Sequence, residues 1–84
     1  MRRVALYFAQ DCSLCEPVHE LLERLRGELA FELAEVDVTG VPELEKRYRA
    51  WLPVVEIDGR RAFVFAVEED ELRERLAEPG APAA

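Results

Sequence analysis

The sequence predicts an α/β fold: a mixed sheet of four strands in the order β-α-β-α-β-β-α, with helices on both faces. Three observations predict it. The apolar run VALYFA (4–9) has the continuity of a central strand covered on both sides. Leu14, Val18, Leu21, Leu22 and Leu25 follow it at helical spacing. Further on, two apolar runs flank Asp58-Gly59, the dipeptide of a two-residue hairpin.

The elements follow in order. The first strand, 4–9, leads into a helix that starts near Ser13 and stops at Gly27. Pro17 falls at the end of its first turn and predicts a kink or a delayed start. FELAEVDV (31–38) reads as the second strand, parallel to the first through a right-handed crossover. After a Thr39-Gly40 turn, Pro42 suits a first helical turn, and Val41, Leu44 and Tyr48 mark one face of a short helix. LPVVEI (52–57) and RAFVFAV (61–67) form the antiparallel hairpin. Acidic residues 68–71 open a last helix at its positive end, with Leu72 and Leu76 facing inward. One domain is expected over 1–78 and a disordered tail over 79–84.

Eighty-four residues make a single small domain, and at this size only about 60% of the unfolded surface is buried. With 50% hydrophobic residues it can still fold without staples. Two cysteines three positions apart close too short a loop to act as one. The formal charge of −7, from 11 basic and 18 acidic residues, argues against nucleic acid, whose phosphates demand clustered cations. Arg24, Arg26, Arg73 and Arg75 stand among glutamates and read as solvated helix faces. No run approaches a membrane span, and the one after Arg2-Arg3 is too short for a secretory leader. The expectation is a cytoplasmic monomer without a membrane partner. In that compartment a lone cysteine pair is more often catalytic or metal-binding than structural.

Cys12 falls where the first strand gives way to the helix. Free backbone N–H groups and the helix dipole there favour a thiolate, although Asp11 opposes them by raising the thiol pKa. Cys15 sits one turn on, more buried and near enough for an S–S bond. The two then divide the work: Cys12 attacks a disulfide and Cys15 resolves the mixed disulfide. Two other readings stay open, a metal site and an accident of spacing. Zinc through Cys12, Cys15 and His19 lacks a fourth ligand, so no metal is expected and His19 reads as a half-exposed helix residue. Pro53 begins the third strand, where proline is tolerated for structural reasons alone. Glu56 reads as the outward residue of a half-exposed strand, with a buried proton acceptor as the alternative.

LYFAQDCSLC, then PELEKRY, then LPVVEIDG, in that order between Val4 and Leu76, give the chain a family resemblance. It resembles the glutaredoxin-like branch of the thioredoxin-fold superfamily, above all small bacterial members with a C-x-L-C motif. The resemblance implies a thioredoxin-like fold and a thiol–disulfide oxidoreductase with Cys12 as nucleophile and Cys15 as resolving thiol. In that superfamily the matched proline is cis and faces the cysteines, which implies a substrate platform at Leu52 and Pro53. The Leu52 backbone would pair there with an extended segment. The implied partners are a disulfide-bearing protein or small thiol, and a reductase or glutathione as electron donor.

The departures are specific. Ser13 and Leu14 replace the usual proline and aromatic, and Ala9 replaces a lysine. Phe65-Ala66-Val67-Glu68 replaces the Gly-Gly and turn that hold glutathione, and Glu68 to Glu71 would oppose its carboxylates. No cofactor is therefore expected, and these losses argue against glutathione as co-substrate. Thioredoxin's tryptophan and buried acid are replaced by Asp11 and Leu6. Two other classes carry different expectations: a module sharing an iron–sulfur cluster between two chains through Cys12, and a non-enzymatic interaction domain.

Overall fold

Strand β1 (Arg2–Phe8) runs through the middle of the molecule because it is apolar on both sides. Val4 and Leu6 are buried toward one face, while Tyr7 packs toward the other. The computed structural model describes residues 2–77. The elements after β1 are α1 (Cys15–Glu28), β2 (Phe31–Asp37), α2 (Pro42–Tyr48) with a 3-10 turn at Arg49–Trp51, β3 (Val54–Ile57), β4 (Arg60–Val64) and α3 (Glu69–Ala77). The strands lie in the order β2-β1-β3-β4. β1 is parallel to β2 and antiparallel to β3, and β3 and β4 form the hairpin. The predicted order is therefore the observed one. The expected domain limit at 78 and the tail 79–84 lie outside the described residues.

The sheet is covered on both faces. On one, Val4, Leu6, Val55 and Ile57 pack with Val18, Leu22 and Leu25 of α1 and Leu72 of α3. On the other, Tyr7 and Val54 meet Val38, Tyr48 and Leu44, which brings α2 onto that side. Leu6, Leu22, Leu25 and Leu72 are 0% exposed; each buried leucine contributes about 1.5–3 kcal/mol.

The hairpin follows its dipeptide. Asp58 and Gly59 have φ of 51° and 82°, the left-handed pair that a two-residue turn requires. Asp58 also clasps β1: its carboxylate accepts from the Arg3 N–H at 3.0 Å and from the Arg2 guanidinium at 3.1 Å. Its own N–H donates to the Arg3 carbonyl at 2.8 Å. Between the paired strands the register slips: Val55 faces Phe63, but Glu56 faces Arg61. Ala62 is the extra residue of a bulge, so Ala62 and Phe63 pack on the same core although they are neighbours in the chain.

Several boundaries differ from the sequence reading. α1 starts at Cys15, which makes Pro17 its third residue, where an N–H would have no helical acceptor anyway. The helix thus starts two residues later than Ser13, with the proline inside its first turn. Leu14 precedes the helix and is 56% exposed, so it does not belong to the core. Gly27 does not stop α1; the helix ends at Glu28, where Leu29 turns extended and donates its N–H to the Leu25 carbonyl at 2.7 Å. β4 ends at Val64 because Phe65 adopts φ 69°, incompatible with a continuing strand. Arg24 and Arg73 do not simply face solvent. Arg24 of α1 reaches Glu69 of α3 at 2.9 Å and Arg73 of α3 reaches Glu28 of α1 at 3.0 Å, while Arg73 also pairs with Glu69 within α3 at 3.0 Å.

Candidate active site

The loop between β1 and α1 carries both cysteines, and its shape comes from contacts on either side. Gln10 donates its N–H to Thr39 Oγ1 at 2.9 Å and its side-chain amide to Asp37 at 3.2 Å. Asp37 also accepts the Thr39 N–H at 2.9 Å. That backbone bond, then the Thr39 and Gln10 side chains, hold the Asp37 carboxyl below the usual carboxylate range. Asp11 then turns the chain with φ 60°, a left-handed conformation that aspartate tolerates better than most side chains.

Beyond that turn Cys12 and Cys15 form a disulfide, with Cα atoms 5.3 Å apart. Cys12 is half-buried, whereas Cys15, the first residue of α1, is buried at 4% exposure. The Cys15 N–H donates to the Cys12 carbonyl at 3.2 Å. Leu14 offers no capping side chain, so the positive end of the α1 dipole falls on the cysteine loop, with Glu16 adding negative charge in the first turn. An open cleft of about 710 Å³ lies against the pair, walled by residues 8–13 with Cys15, Glu16 and His19.

The other two expected residues stand elsewhere. Leu52–Pro53 is a cis peptide bond, and Pro53 is buried. Val54 pairs with Tyr7, so Pro53 stands opposite the end of β1, where the chain enters the cysteine loop. Leu52 packs on the same apolar cluster as Ala9, a residue of the cleft wall. Neither Leu52 nor Pro53 lines the cleft itself. The Pro53 carbonyl accepts the Phe65 N–H at 2.9 Å. Beside it, Trp51 and Phe65 approach with ring centroids 5.9 Å apart, and Arg61 lies 6.0 Å from the Trp51 ring.

Two arrangements were not legible beforehand. Glu56 is half-buried, on the face of the half-exposed strand that α2 covers, where it accepts from the Tyr7 hydroxyl at 3.3 Å and from the Tyr48 hydroxyl at 3.2 Å. His19 is exposed, as its helix position suggested, but its ring contacts Glu35 of β2 rather than standing alone. Among the described residues no helix is long and apolar enough to cross a membrane.

Comparison with known proteins places this arrangement. Residues 3–77 match the family described as Glutaredoxin-like domain (DUF836). An uncharacterised protein of Mycobacterium tuberculosis is 36% identical, over 89% of this chain and 82% of its own length. The X-ray structure of a structural-genomics target protein from X. campestris aligns with a TM-score of 0.73 at 28% identity, covering 90% of this chain and 99% of that one. The X-ray structure of Fasciola hepatica thioredoxin aligns with a TM-score of 0.66 at 30% identity, covering 89% of this chain and 77% of that one. The fold is thioredoxin-like, and its adjacent cysteines form a redox-type arrangement.

Proposed function

The chain belongs to the glutaredoxin-like domain family, and on that premise we propose that it is a thiol–disulfide oxidoreductase working through Cys12 and Cys15. The observation that carries this reading is the Cys12–Cys15 disulfide on the cleft wall, with Cys12 half-buried and Cys15 buried at the start of α1.

In the reduced protein the Cys12 thiolate attacks one sulfur of a substrate disulfide. That bond breaks, a mixed disulfide forms on Cys12, and the first substrate sulfur leaves as a thiolate that takes up a proton. Cys15, as thiolate, then attacks the Cys12 sulfur and expels the second substrate sulfur. The substrate gains two electrons, and the protein returns to the disulfide. An external dithiol or glutathione supplies the electrons for the next cycle. Leu52 and Pro53, opposite the entry to the cysteine loop, are the proposed platform for the substrate backbone.

The experiment is a redox titration in glutathione buffers with alkylation quench and mass spectrometry, paired with turnover of a small disulfide. An intramolecular disulfide with one midpoint is expected. Cys12→Ser should abolish turnover, and Cys15→Ser should accumulate mixed disulfides. Full turnover by Cys12→Ser would remove the assignment.

A further inference from the structure

Elements α1 and β2 bring His19, Glu23 and Glu35 together, with one ligand atom from each within 4.8 Å of the others. His19 and Glu23 are four residues apart, one turn along the same helix face. Glu35 comes from β2, which lies at an edge of the sheet. His19 Nδ1 already contacts one Glu35 oxygen. Glu23 gives its Oε1 to Arg26 at 3.1 Å, which leaves Oε2 for a second cation.

We propose that these three residues bind a divalent transition ion of the zinc type. One imidazole with two carboxylates suits such ions, whereas magnesium and calcium take oxygen ligands throughout. Metal–ligand bonds of about 2.0–2.1 Å in a tetrahedron put donor atoms roughly 3.3–3.5 Å apart. Donors at the 4.8 Å limit must therefore close in by up to about 1.5 Å, and the His19–Glu35 contact must open to admit the ion. The side chains of His19, Glu23 and Glu35 are 47%, 37% and 30% exposed, so they can do this by rotating at the surface without disturbing the core. The ion would offset the repulsion of two carboxylates converging from different elements. Three protein ligands also leave a coordination position for water. His19 belongs to the cleft wall as well, so the ion would sit beside the cysteines without using their sulfur. The site thus stands independently of the redox reading.

The test uses the full chain in its oxidised form, in which the thiols are unable to ligate. Zinc is titrated by calorimetry and cobalt by visible absorption. One ion per chain is expected, with His19→Ala and Glu35→Gln each weakening binding at least about tenfold. Circular dichroism checks that each variant folds; should His19→Ala fail, Glu35→Gln decides alone, since it alters only a surface charge. Absence of saturable binding by the oxidised protein would overturn the proposal and leave His19–Glu35 as a contact between α1 and β2. Undiminished binding by the folded variants would overturn it too, and so would binding confined to the reduced protein, which would point to the cysteines.

Discussion

Tyr7 and Tyr48 stack with ring centroids 4.1 Å apart, and both hydroxyls converge on Glu56. Burial first, then the Tyr48 hydrogen bond and the Glu56 charge, push the Tyr7 phenol up to about 12. The sign follows by linkage. Between pH 10, where an unfolded tyrosine ionises, and about 12, the folded state holds a proton that the unfolded state has lost. Stability from Tyr7 is therefore complete below pH 10 and declines through that window. Tyr7→Phe should flatten this alkaline decline in urea midpoints, while an unchanged slope would mean that Tyr7 titrates normally. No alternation in the sequence revealed this cluster, because a strand's period says which side a residue faces but not that α2 covers that side. The cysteines were legible for the opposite reason: their spacing and their place at a strand–helix junction are local.

Among the elements, α3 is held by one fully buried side chain, Leu72, and by ion pairs through Glu69. Hydrogen bonds from Arg24 and then Arg73 hold the Glu69 carboxyl below its ordinary value. A lowered carboxyl contributes stability above its unfolded value of 4.5, and that contribution disappears as pH falls through the folded value. Glu69→Gln should therefore cost most at neutral pH and little in acid, and it should shrink the difference between wild-type urea midpoints at pH 7 and pH 3. An equal loss at both values would assign its role to packing. High salt should weaken the same network, since its members are exposed. The arginines looked like solvated charges in the sequence because the Arg24–Glu69 and Arg73–Glu28 pairs cross between helices, and only the fold brings the helices together. The bulge at Ala62 was hidden for the same reason: it is a property of the β3–β4 register, not of β4 alone. Phe65 is a third case. A bulky residue at positive φ is a backbone outlier, and its conformation could not be read from an apolar run that seemed to continue the strand.

At the scale of the molecule, a chain this short is stable by roughly 4–13 kcal/mol, from about 0.05–0.15 kcal/mol per residue. Leu6 is fully buried on the central strand between α1 and α3. Leu6→Ala should cost about 2–5 kcal/mol, a large share of that total, and urea denaturation would show it as a much lower midpoint. A loss below 1 kcal/mol would mean that the core closes over the gap. The order of elements was legible at this scale because hydrophobic period, turn dipeptides and helix-start signals all pointed to one arrangement. The element ends were not: Pro17 fits the third helical position, Gly27 stays inside α1, and Phe65 leaves the strand at positive φ, bonded to the distant Pro53 carbonyl.

The strand order β2-β1-β3-β4 also bears on how the chain is made. Of the described strands, the earliest to leave the ribosome becomes an inner one, and its antiparallel partner is not complete until Ile57 has been added. Until then β1 has only β2 to pair with, and the cysteine loop hangs from a half-built sheet. The Cys12–Cys15 bond closes over just three positions, so it needs no finished fold to form. A nascent chain meeting an oxidant at that stage would acquire its correct disulfide early, with no other cysteine in the chain to mispair.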